Sequence, residues 1–74
     1  MPKLRVLSGK EVCKIMSQYG FKQVRQKGSH MIMQKKEGNT TLTVPVPDHV
    51  ELRTGTLIGV IRQSGLPRSI FETE

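Results

Sequence analysis

The chain has 74 residues, a single cysteine and a formal charge of +6. That length holds one domain, residues 1–74, and excludes a deep walled active site beside a large core, because so small a domain buries only about 60% of the surface its unfolded chain exposes. A lone thiol excludes an internal disulfide, no apolar run nears the ~20 residues of a membrane span, and the first residues lack the apolar stretch of a signal peptide, so a soluble cytoplasmic protein is expected.

Ser8-Gly9-Lys10-Glu11 reads as a capping box, in which the Ser8 hydroxyl and the Glu11 carboxylate each accept from the other residue's amide. Behind it Val12, Ile15, Met16 and Tyr19 recur at helical spacing and predict a helix over residues 8–19. Gly20 ends it, and Phe21 falls where a Schellman motif sets an apolar residue against Met16. Residues 21–26 predict a first strand and Lys27-Gly28-Ser29 a turn. Residues 30–36 predict a second strand, with Met31 and Met33 on one face and His30, Ile32 and Gln34 on the other. Glu37-Gly38-Asn39 predicts a hairpin turn, and residues 40–46 a third strand in which Leu42, Val44 and Val46 alternate with Thr41, Thr43 and Pro45. Pro45 lacks an amide donor, so that strand belongs at an edge. After a loop over 47–53, Thr54 is expected to cap a second helix that turns Leu57, Ile58 and Ile61 inward. Gly65 ends it, Leu66 closes on Ile61, and Pro67 opens a short turn to Phe71. The expected class is α+β, in the order helix, three antiparallel strands, helix. Both helices pack on one face of the sheet, and the other face is left open.

Charge is unevenly placed. Residues 1–36 hold nine Lys or Arg against one acid, a net +8, whereas residues 37–74 carry −2. That asymmetry points to a polyanion bound on one side. No basic amphipathic helix with large aromatics is present, which disfavours a membrane surface.

The inventory for chemistry is short. Cys13 lies beside an apolar helix stripe and reads as a packing residue. One Cys and two separated His do not make a structural zinc site, and no phosphate-cradling glycine loop is present, so neither metal nor cofactor is expected. His30 stands apart. It follows Gly28-Ser29 at a strand start, with Lys27 before it and Lys35 and Lys36 ending the same strand. In-line RNA cleavage needs a group that takes a proton from the 2′-hydroxyl or gives one to the leaving 5′-oxygen. A histidine, with an ordinary pKa near 6.5, does either. A surface or hydrogen-bonded structural role also accounts for a lone histidine beside a turn. His49, in the turn-like Pro47-Asp48-His49, has less to recommend it.

The pieces Ser8-Gly9-Lys10-Glu11, Tyr19-Gly20-Phe21 and Arg25-Gln26-Lys27-Gly28-Ser29-His30 occur in order. Thr43-Val44-Pro45-Val46-Pro47, Gly55-Thr56-Leu57 and Ile61-Arg62-Gln63-Ser64-Gly65-Leu66 follow them. With this set the sequence resembles the HicA, or YcfA-like, toxin family of bacterial toxin–antitoxin systems. The resemblance implies a double-stranded-RNA-binding-domain-like fold, mRNA interferase activity and a cognate HicB-type antitoxin that covers the active surface. It puts the family's catalytic histidine on His30. Lys27, Arg25, Lys35 and Lys36 are then the expected phosphate contacts, with Ser29 contacting substrate or fixing the turn. Many members carry a histidine directly after the Val-Pro-Val segment. Here Pro47 takes that place, so no role passes to His49. The alternative is a non-catalytic RNA-binding module of the same fold, which recognises RNA by its shape, phosphates and 2′-hydroxyls.

Overall fold

The computed structural model describes residues 3–73. Its elements are β1 (Lys3–Leu4), α1 (Gly9–Ser17), β2 (Lys22–Lys27), β3 (His30–Glu37), β4 (Thr40–Pro47), α2 (Thr54–Ser64), a 3-10 turn (Arg68–Phe71) and β5 (Glu72–Thr73). No helix among the described residues is long and apolar enough to cross a membrane.

The capping box forms as its spacing predicts. The Ser8 amide donates to Glu11 Oε1 at 2.9 Å, and the Glu11 amide donates to Ser8 Oγ at 3.1 Å. Hydrogen bonds from the Ser8 backbone, and then its side chain, hold the Glu11 carboxyl below its usual pKa. Because the folded value is the lower one, this contribution is present above the unfolded pKa and fades as pH falls through the folded one. Ser8→Ala removes an acceptor from the first turn and is expected to cost about 1 kcal/mol in a denaturant melt. An unchanged midpoint would show the cap to be dispensable.

α1 stops at Ser17, two residues short of the expected end. Gly20, at φ +99°, then reverses the chain, and the Phe21 amide donates to the Met16 carbonyl at 3.2 Å. This is the expected Schellman closure. Tyr19, lying outside the helix, is not buried with the stripe that its spacing suggested.

β2, β3 and β4 form an antiparallel sheet in that order. Both hairpins have two-residue loops, Gly28-Ser29 and Gly38-Asn39, and in each only the glycine has positive φ. A left-handed residue at the first loop position matches the right-handed twist of paired strands. β4 lies at an edge, where the missing Pro45 donor costs no ladder bond. Met31 and Met33 of β3 and Val44 and Val46 of β4 face the helices. Val12, Cys13 and Met16 of α1 and Leu57, Val60 and Ile61 of α2 close over them. This is the double-stranded-RNA-binding-domain-like α-β-β-β-α arrangement, with the second sheet face open.

Three local details depart from expectation. The cap of α2 is Arg53, with no side-chain hydrogen bond, and Thr54 already lies in the first turn. Gly65 ends α2 at φ +71° and Leu66 packs against the core cluster that holds Ile61, but the Leu66 amide does not donate to the Ile61 carbonyl. Instead the Ser64 hydroxyl donates to the Ile61 carbonyl at 2.7 Å and accepts from the Leu66 amide at 3.1 Å. The chain ends also meet: β1 pairs with β5, Leu4 opposite Glu72, and the Arg5 amide donates to the Phe71 carbonyl at 2.8 Å.

Candidate active site

His30 is the first residue of β3, directly after the Gly28-Ser29 loop. Side chains alternate along a strand, so His30, Ile32, Gln34 and Lys36 share the face away from the helices. Residues directly opposite in the ladder share a face too. Lys27 is therefore beside His30 on one side and Pro47 on the other. Arg25 and Pro45 flank Ile32 in the same way. Arg25, Lys27, His30, Ile32, Thr43 and Pro45 line one shallow depression of about 480 Å³. Its floor, Ile32, is only 7% exposed although it lies outside the helix-facing core. The imidazole is exposed, and among the described residues no carboxylate pairs with it.

The position of His30 is fixed by backbone rather than by side chains. The Ser29 carbonyl accepts from the Asp48 amide at 2.7 Å, extending the β3–β4 ladder past its last pair. The His49 carbonyl accepts from the Gly9 amide at 2.9 Å. Segment 47–49 thus ties the loop carrying His30 to the start of α1. Gly9 belongs there because a Cβ at that position would run into the Pro47 carbonyl. Of His49, the structure shows only this backbone link.

The expected phosphate contacts are not all gathered in one place. Arg25 and Lys27 stand beside His30, and Ser29 lies in the loop. Lys35 and Lys36 lie five and six residues along β3, roughly 17–20 Å away at a strand's rise. Lys35 has the opposite parity from His30 and faces the helix side, opposite Leu42. Its ammonium is 5.8 Å from the Phe21 ring centroid and 3.9 Å from Glu37 Oε1. Lys36 is on the His30 face.

Sequence reasoning missed Lys22. Strict alternation puts it opposite in parity to Arg25 and Lys27. A bulge between Gln23 and Arg25 takes up Val24 and returns Lys22 to their face, opposite Gln34. The open face therefore carries Lys22, Arg25, Lys27 and Lys36, and the pairing places no carboxylate there. Such a face attracts polyanions, and its exposed imidazole can exchange a proton with whatever binds.

Other chemistry finds little support. Cys13 is buried, its Sγ 4.0 Å from Met31 Sδ, and burial pushes its thiol pKa up to about 11. A thiol so rarely ionised is a packing group. Among the described residues no three His, Cys, Asp or Glu side chains come together as metal ligands would.

No curated protein and no solved structure gave a match to the chain. The family described as "HicA toxin of bacterial toxin-antitoxin" matches residues 9–66, a span that takes in both helices and the whole three-stranded sheet. With most of its length and every element around His30 inside that match, the chain belongs to the HicA toxin family of bacterial toxin–antitoxin systems.

Proposed function

We propose that this protein is an endoribonuclease, an mRNA interferase acting in the cytoplasm, with His30 as its acid or base. One observation carries this reading: an exposed imidazole at the end of an acid-free cationic face, directly opposite Lys27. In the reaction the 2′-oxygen of a ribose bonds to the adjacent phosphorus as the bond from phosphorus to the 5′-oxygen breaks. The products are a 2′,3′-cyclic phosphate and a 5′-hydroxyl. The 2′-hydroxyl loses a proton and the leaving oxygen gains one. His30 performs one of these transfers, worth about 10²–10⁴-fold in rate. Lys27 and Arg25 stabilise the charge that builds on the phosphate oxygens. Ser29 fixes the turn through its carbonyl, and Lys36 meets a phosphate farther along. Lys35, held at Phe21 and Glu37, is left to shape the margin of the face.

The proposed mechanism needs no metal and no small-molecule cofactor. The protein's partner in this reading is an antitoxin of the HicB type, which presents acids to the cationic face and occludes His30. Purified protein is expected to cut mRNA in EDTA and to spare the same strand made with 2′-deoxyribose. Cutting of the deoxy strand defeats the 2′-hydroxyl mechanism. Tight RNA binding without any cutting leaves a binding module instead.

A further inference from the structure

The open face is wider than the depression around His30. Lys22, Val24, Gln34, Lys36 and Thr41 line a second depression at its far end, bordered by Gly20 and Lys35 from the helix side. The two meet where Gln34 Nε2 donates to Thr43 Oγ1 at 3.3 Å, since Gln34 lines one and Thr43 the other. The face also has a cross-strand polarity. Its β2 margin is cationic, with Lys22, Arg25 and Lys27. Its β4 margin is uncharged, with Thr41, Thr43 and Pro45. A single RNA strand has the same two sides, phosphates along one and bases along the other. His30 sits at one end of this surface, because the strands stop at the Gly28-Ser29 loop.

We infer that the sheet face is a one-sided track for a single RNA strand, in which Lys22 and Lys36 bind phosphates on only one side of the cut. The inference rests on the endoribonuclease reading and extends it to residues about 13–20 Å from His30 along β3. The strand lies with its phosphates toward β2 and its bases toward the uncharged β4 margin. The track neutralises roughly four phosphates, one per cation, near the low end of single-strand sites. Beyond His30 the ladder adds only the Ser29–Asp48 hydrogen bond and no further cation of the face, so nucleotides past the cut project away from the track.

The test uses the full chain and 2′-O-methyl RNA strands that hold a single ordinary ribose, which fixes where cleavage occurs. Lengthening the strand on one side of that ribose, from one nucleotide to four, is expected to raise kcat/KM. Lengthening on the other side is expected to change nothing. In the double variant Lys22→Gln with Lys36→Gln, the gain in kcat/KM with length disappears. Equal gains on both sides overturn the proposal, as does a double variant that keeps the gain. A second measurement is independent of catalysis. Binding of a fully 2′-O-methyl strand should weaken with salt at a log–log slope of about −2.8, falling to about −1.4 in the double variant. A slope unchanged by the substitutions defeats the track whether or not the protein cuts. Tighter binding of the matching duplex than of the single strand defeats it too. Failure to cut any ribose-containing strand, with the slope change intact, defeats the catalytic reading alone.

Discussion

His30→Ala is expected to lower single-turnover cleavage of RNA by about 10²–10⁴-fold, the range of a positioned acid or base. The ring is exposed and makes no core contact, so the variant should melt with the wild type and bind RNA with similar affinity. Three measurements separate chemistry from folding: a rate on saturating protein, a thermal melt, and binding of an uncleavable strand. In cells, the variant should permit growth under conditions where induction of the wild type stops it. Full activity in His30→Ala removes the proposed mechanism altogether. Loss of binding in step with cleavage would instead make the imidazole an anchor for the strand.

Gly9→Ala sets two effects of opposite sign against each other. Helix propensity alone favours alanine over glycine by up to ~1 kcal/mol. The new Cβ, however, meets the Pro47 carbonyl, which is backbone and cannot rotate aside. Overpacking of this kind costs about 1–3 kcal/mol, and steric cost is expected to win. A domain of this length has roughly 4–11 kcal/mol of stability in all. The melting temperature should therefore drop by about 5–15 °C. Cleavage should fall as well at temperatures where the variant stays folded, because Pro47 is the ladder partner of His30. A variant as stable as the wild type would mean that α1 seats loosely on β4.

The parts of the fold legible in the sequence are those set by neighbouring residues. The Ser8–Glu11 box, the Gly20 reversal and both glycine hairpins each need only a few consecutive residues, and each forms. Alternation along β3 separates Met31 and Met33 from His30 and Ile32 correctly. Carried on, the same rule puts Lys35 and Lys36 on opposite faces, although their adjacency in sequence invites them to be read as a pair. Long-range features left no such trace. Lys3 and Thr73 pair across almost the whole chain, and two-residue strands carry no periodicity. The bulge at Val24 has neither a glycine nor any other local mark, so the place of Lys22 on the cationic face emerges only from the ladder. His30 can be singled out from its turn and its lysines, but the catalytic role proposed for it rests on family likeness.

A flat reaction surface has no door. His30 lies on a sheet whose far side is occupied by both helices, and no loop of the described chain folds back across it. Enzymes that work inside clefts can idle by closing; under the mechanism proposed above, the resting molecule is permanently ready. On that mechanism, restraint comes from a second molecule and lasts only as long as that visitor stays, so the lifetime of the restraining molecule is the clock that sets when this protein acts.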